Sequence, residues 1–252
     1  MLELRHDFEK AKQQLKDMKR QLPFLNAYAL TKTAQDVRKA EYEEMQSLFD
    51  RPTPYVVPKN IDKPGTRGSL FLRGAKKDKL AAKVWVKDLN LGAGTPGIDI
   101  VGPHIKGGGR KFKRFEKALF RNGVLPAGMY AVPSKYARKN KYGNLSAGRY
   151  TQILSYLRAN ADVAQNTTAN SRRKKTTKPY WIMYENDKPL GIYQGTGSNM
   201  KPIIIFVSKP NYKQTFKFEG IGNAVAAQRF ESNFVAAWNY AKRMNFRGRP
   251  KN

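Results

Sequence analysis

Apolar residues enter this chain at helical intervals. Leu4, Phe8, Ala11, Leu15, Met18 and Leu22 step by three or four positions between Lys10, Lys12, Lys16 and Lys19. That spacing predicts an amphipathic helix with a narrow apolar seam, of the kind that packs on a partner helix. Pro23 marks a boundary or kink, because proline removes a donor and clashes inside a helix. A second helix is expected from about residue 23 to residue 49, with Leu25, Ala29, Leu30, Ala34, Val37 and Tyr42 on its apolar side. Glu41, Glu43 and Glu44 near its end oppose the helix dipole and read as a solvated acidic cluster. Docking of a basic neighbouring copy is the alternative.

The period then changes. Pro52 and Pro54 break the helix, since the residue before a proline is driven toward extended geometry. Residues 69–73 and 80–87 read as strands around a turn at Lys76, Lys77, Asp78 and Lys79. Residues 89–109 are rich in glycine and proline and read as a long loop. After it, Phe112, Phe115, Ala118 and Leu119 predict a short helix with one buried face, stopped by Asn122-Gly123. An extended passage follows over 125–133. Ser146 is the expected N-cap of a helix through Tyr150, Ile153, Leu154 and Leu157. Residues 160–178 are polar and read as a mobile or inserted loop. Strands resume at 180–184, 191–193 and 202–209, Phe216 and Phe218 alternate with lysines, and a last helix runs from about 220 to 244 before a basic tail. The order of elements predicts an α+β fold: an antiparallel sheet flanked by helices, with a long N-terminal amphipathic helical segment. Residues 1–50 are expected to serve oligomerisation or docking, and 51–252 to form the α+β core.

Charge adds most to this picture. Lys and Arg number 48 against 19 acids, a formal net charge of +29. A solvated surface mixes signs, so an excess this large points to an anionic partner, nucleic acid first and an acidic protein or anionic membrane next. There is no cysteine, which excludes disulfides, thiolate zinc sites and cysteine nucleophiles. The charged N-terminus is unlike a secretory signal, and the longest apolar run, residues 203–207, is far shorter than the roughly 20 residues of a membrane-spanning helix. A soluble protein is expected.

Candidate chemistry is sparse. His6 and His104 are the only histidines, without metal-ligand spacing, and no Gly-x-Ser-x-Gly elbow is present. His104 reads as a loop or packing residue. The acids are scattered, so no enzyme, metal or cofactor is expected. Gly107-Gly108-Gly109 ahead of basic residues suggests either a phosphate cradle at a helix N-terminus or a flexible loop. It lacks the Gly-Lys-Ser/Thr ending of a nucleotide-binding loop. The basic stripe of Arg110, Lys111, Lys113, Arg114, Lys117 and Arg121 says more, because like charges this dense call for countercharge, and phosphate supplies it without base-specific geometry.

Several motifs occur in an ordered set. They are Phe49-Asp50-Arg51-Pro52-Thr53-Pro54, the run from Gly107 to Leu119, Gly123-Val124-Leu125-Pro126-Ala127-Gly128, Tyr142-Gly143-Asn144 and Gln152-Ile153-Leu154-Ser155. Over roughly residues 22–240 the chain resembles the minor tail protein Z, or tail-completion, family of tailed bacteriophages and prophages. The lysine-rich N-terminal helix departs from that pattern. The resemblance implies a virion structural protein where head meets tail, located in the virion and, during assembly, in the host cytoplasm. It implies a homo-oligomeric ring around the DNA channel, with portal, adaptor or other tail and neck proteins as partners. Expected contacts to double-stranded DNA or to acidic neighbours are Lys106, Arg110, Lys111, Lys113, Arg114, Lys117, Lys139, Lys141, Arg172, Arg173, Lys174 and Lys175. Expected oligomer contacts are Leu4, Phe8, Leu15, Met18 and Leu22. The alternative is a sequence-independent nucleic-acid-binding protein outside the particle.

Overall fold

A computed structural model describes residues 8–61, 68–88, 94–173 and 179–244. Within them the chain is α+β. Helix α1 runs unbroken over Phe8–Leu48 with Pro23 inside it, so the boundary expected at the proline does not form. An interior proline costs a helix about 3 kcal/mol. Packing begins two residues later, at the buried Leu25, and offsets that loss.

The partner of α1 is the C-terminal helix α6, Phe218–Arg243. The two run antiparallel. Leu25 packs with Ala237 and Ala241 near the end of α6. Asn233 donates to Thr33 at 3.1 Å and to Asp36 at 2.8 Å. Gly222, near the start of α6, lies against Val37 and Glu41, where a Cβ would sit 3.6 Å from each. Glu41 is therefore not in the solvated cluster expected of it. It is fully buried, and among the described residues neither carboxylate oxygen has a well-formed hydrogen bond, the Gly222 amide offering only a weak one. Burial, reinforced by the charge of Glu44, pushes its pKa up to about 8. Glu43 stays exposed.

The far half of α1 is built into a second core. Tyr42 and Met45 pack with Val56, Val57, Val101 and Phe216. Residues on both sides of position 50 therefore share this core. Strands β1, Leu70–Arg73, and β2, Lys83–Val86, close on this core as an antiparallel hairpin, pairing Leu70 with Val86. The turn lies where the sequence places it, with reciprocal backbone bonds between Lys76 and Lys79.

The described part of the glycine-rich passage holds a helix, α2, Gly97–Lys106, where a continuous loop was expected; residues 89–93 lie outside the described residues. Ile98, Val101 and Ile105 fall on one side of it and enter the second core. His104 sits in α2 as a packing residue, edge-on to Phe49 and Tyr212, with Nδ1 3.2 Å from Thr215 Oγ1. Burial lowers its pKa.

Helix α3, Arg114–Arg121, leads to the main sheet. Gly123 adopts φ +68°, and Gly123 and Val124 donate to Phe120 and Leu119, which closes the helix as Asn122-Gly123 predicts. The sheet is antiparallel in the order β3-β6-β5-β4. Its strands are β3, Met129–Pro133; β4, Tyr180–Glu185; β5, Lys188–Gln194; and β6, Lys201–Ser208. Asn186 and Asp187 join β4 to β5 with φ of 47° and 60°, as a two-residue hairpin turn requires. Helix α4, Ala147–Tyr156, starts at its Ser146 cap, whose side chain accepts from the Arg149 amide at 3.2 Å. Leu119 of α3 and Ile153 of α4 cover one face of the sheet, packing with Ala131, Ile192, Ile204 and Phe206.

Over its described part the polar stretch after α4 is hydrogen-bonded to α4 and to itself. Thr167 donates to the Ser155 carbonyl and Asn160 to the Asn166 side chain, ahead of a short helix α5, Ala169–Arg173. Tyr212 forms a lone bridge to Gly108, and Phe216 is buried just ahead of α6.

Candidate polyanion-binding surface

The glycine triplet sits at the centre of the expected site, and its geometry is that of a brace. Gly107 and Gly108 take φ of 74° and 82°, and Gly108 exchanges backbone hydrogen bonds of 2.9 and 2.8 Å with Tyr212. A Cβ on Gly109 would lie 2.3 Å from Lys209 Cε. Residues 110–113 then run ahead of α3 without entering it, so Phe112 is not on the helix; its ring packs on Tyr130 at 4.7 Å and on Phe120 at 6.1 Å.

The N-terminus of α3 is filled from within. Glu116 accepts from the Lys113 amide at 2.7 Å, from the Ala131 amide at 2.9 Å and from both ends of the Arg110 guanidinium at 2.6 and 2.5 Å. Burial would push this carboxyl up, but the hydrogen bonds from Arg110 and from the two amides outweigh it and hold the pKa below the usual carboxylate range. Glu116 thus takes up the Lys113 amide, one of the donors of this helix end, and sets a carboxylate beside it, which disfavours an approaching phosphate.

Arg110 leaves the set of expected contacts with it. Its side chain is 9% exposed, stacks on the Tyr130 ring at 4.7 Å and is neutralised by Glu116. Lys111 remains exposed but shares its charge with Asp99 at 3.0 Å.

Three groups of cations do reach the surface. Arg114, Lys117 and Arg121 occupy positions i, i+3 and i+7 of α3 and are exposed on the side away from Leu119; Lys113 is exposed at its cap. Lys139 and Lys141 stand on either side of Asn140, whose side-chain oxygen accepts from the Tyr142 and Asn144 amides at 3.0 and 3.1 Å and pins the loop leading into α4. Arg172 docks at the other end of α4, bonding the Tyr156 carbonyl and lying over the Tyr156 ring at 4.7 Å, with Arg173 exposed beside it. Since Phe115 of α3 packs on Tyr150 of α4 at 4.7 Å, all three groups border one helical layer over the sheet. Lys106 is exposed separately at the end of α2. Among the described residues Lys106, Lys117 and Lys139 have no ion pair. Lys174 and Lys175 lie outside the described residues.

Two residues of this surface, Arg121 of the basic stripe and Phe120, are not among the expected contacts. Arg121 belongs with Arg114 and Lys117, a grouping that the i, i+3, i+7 spacing carries. Phe120 is exposed on the same helix, although its neighbours Phe115 and Leu119 serve the core. Of the expected oligomer contacts, Phe8, Leu15 and Leu22 are exposed and Met18 is half-buried, while Leu4 lies outside the described residues. Among the described residues no three His, Asp or Glu side chains converge as a metal site, and no helix is long and apolar enough to cross a membrane.

Comparison of the chain with protein-family models, with curated proteins and with solved structures returns no match. Its function therefore has to be argued from the surface just described.

Proposed function

We propose that this chain is a structural subunit of a tailed-bacteriophage particle, acting in tail completion or head–tail joining. Copies close into a ring whose cationic layer faces the DNA channel or an acidic neighbouring ring, and portal, adaptor or other tail and neck proteins are its neighbours. No enzymatic step belongs to this role. The observation that carries the reading is the outer face of α3. There Arg114, Lys117 and Arg121 present their charge outward beside the cations that flank α4. Such an array meets phosphates by charge rather than by base pattern, so it can hold a duplex without fixing its register. Repetition around a ring would multiply weak contacts.

Mass spectrometry of purified particles tests this directly. The protein should be present at a fixed copy number, and particles made without it should show unjoined heads and tails. Its absence from particles would overturn the reading.

A second reading, a nucleic-acid-binding protein outside the particle, draws support from the exposed Phe120 stacked on Phe112 in a segment that also carries the exposed Lys113 and Lys117. Bases of a single strand stack on such rings. A strong preference for single-stranded over duplex DNA, in a protein absent from particles, would favour it.

A further inference from the structure

The two edges of the main sheet are finished differently. On β3 the Ala131 amide donates to the Glu116 carboxylate at 2.9 Å, which closes that edge at its middle. On β4, at the opposite edge, among the described residues no backbone hydrogen bond arrives from the side away from β5. Alternate residues of such a strand turn their N–H and C=O groups outward, and natural edges are ordinarily guarded by lysine, proline or a bulge. β4 has none of these. It reads Tyr-Trp-Ile-Met-Tyr-Glu, with its one charge at the end. The irregularity of the β4–β5 pair puts the extra residue, Leu190, on β5 and leaves β4 its alternation. Trp181 and Tyr184 are 47% and 55% exposed.

The sheet face that β4 borders is apolar too. Trp181 pairs with Tyr193, Met183 with Gly191, Gly191 with Ile205 and Ile205 with Val132. These residues share the face opposite to Ile192, Ile204 and Phe206, which belong to the core under α3 and α4. An antiparallel sheet with one covered face ordinarily turns polar residues to the other. Here, in a chain with 48 lysines and arginines, that row holds no charge, and Ile205 is 40% exposed. Two copies this cationic meet at least cost where charge is absent or matched.

The ends of β4 supply the match. Near Tyr180 stand Arg149, 5.4 Å from its ring, and Arg172, over the Tyr156 ring that meets Tyr180 at 5.7 Å. At the other end are the exposed Glu185 and Asp187, with one lysine, Lys188. A second β4 laid antiparallel about Ile182 sets Glu185 of each copy toward the arginine end of the other. Laid parallel, like would meet like. The antiparallel register also puts Tyr180 of one copy against Tyr184 of the other, and Trp181 against Met183, a sulfur beside an aromatic ring.

We infer that β4 is the edge on which a second copy of this chain docks, strand against like strand about Ile182, so that two four-stranded sheets become one of eight. Glu116 on β3 stops growth at the far side. The pairing goes beyond the particle role proposed above and does not require it; within a ring it would bring copies in two at a time and make their number even.

Sedimentation equilibrium of the full chain is the test. One short strand pair is a small interface, so the dimer should form at roughly 10–100 µM. Trp181→Lys, which brings charge to the uncharged face, should weaken it about tenfold or more, and Glu185→Lys, which reverses the sign at one end, should weaken it as well. Both positions are exposed. An equal mixture of Trp181→Cys and Met183→Cys chains reads the register, because the chain has no cysteine of its own and facing Cα atoms lie about 4.5–5.5 Å apart, within disulfide reach. On mild oxidation the mixture should give several-fold more linked dimer than either variant alone. Should Trp181→Lys unfold, the cysteine mixture decides. A chain still monomeric at about ten times the stated concentration would overturn the inference and leave the edge to a strand of another protein. A dimer that the mixture links no better than the single variants would overturn it too.

Discussion

Arg110 and Glu116 meet through two hydrogen bonds of 2.6 and 2.5 Å, and this pair joins the lead-in of α3 to strand β3. Removing the carboxylate would leave a guanidinium with little exposure and no countercharge, and would orphan the Ala131 amide. Glu116→Ala should destabilise the chain by about 3–5 kcal/mol in denaturant titration, the usual penalty for breaking a buried pair from one side.

Both buried glutamates give pH signatures, with opposite signs. Glu116 ionises below its ordinary value of 4.5 in the folded chain. Its contribution is in full force above that value and is lost as pH falls through the folded pKa. Glu41 goes the other way. The unfolded chain releases its proton near 4.5 and the folded chain at about 8, so the folded form holds more protons across that window and stability declines as pH rises through it. Glu41→Gln should flatten this decline and raise stability at pH 8 by on the order of 2 kcal/mol, measured as melting temperature against pH.

Arg114→Glu, Lys117→Glu and Arg121→Glu together should weaken duplex binding steeply while changing stability by less than about 0.5 kcal/mol per site, because all three are surface residues. If each meets one phosphate, the slope of log affinity against log salt should become shallower by roughly 2–3. An unchanged slope would place the polyanion elsewhere. Arg110→Met should leave the slope as it is, since that guanidinium is already spent on Glu116.

Gly191 lies in the middle of the main sheet with no room for a side chain. A Cβ there would sit 2.1 Å from the Ile204 carbonyl oxygen, across the β5–β6 pair. Gly191→Ala should cost about 3 kcal/mol, since the carbonyl it strikes is backbone and has no rotamer to escape into. Thermal unfolding of the purified variant checks this.

The local signals in the sequence carry through wherever neighbours in the chain decide the structure. The Ser146 cap, the Asn122-Gly123 stop and the turn from Lys76 to Lys79 are all settled within a few residues, and each stands where its residue types point. Helix α2 shows how such a signal is hidden: Ile98, Val101 and Ile105 have helical spacing, but the glycines and prolines around them dominate the composition. The fates of Arg110 and Glu41 are of another kind. Arg110 sits among lysines that stay in water, and only the backbone path ahead of α3 turns it inward onto Glu116. Glu41 sits beside the exposed Glu43, and burial comes from a helix that begins at Phe218, far along the chain. No window of neighbouring residues contains that information. The cationic surface was legible as a stripe, and the fold then divides it into groups held outward and a guanidinium held in.

The antiparallel union of α1 with α6 also fixes when the molecule can mature. A ribosome makes the first of these helices well before the second, so Leu25 waits uncovered while the strands and helices between them are translated. Contacts between segments this remote slow the search for the native state. Nascent chains should therefore lean on a chaperone until α6 has emerged, and genes truncated before residue 218 should yield aggregates rather than a smaller folded domain.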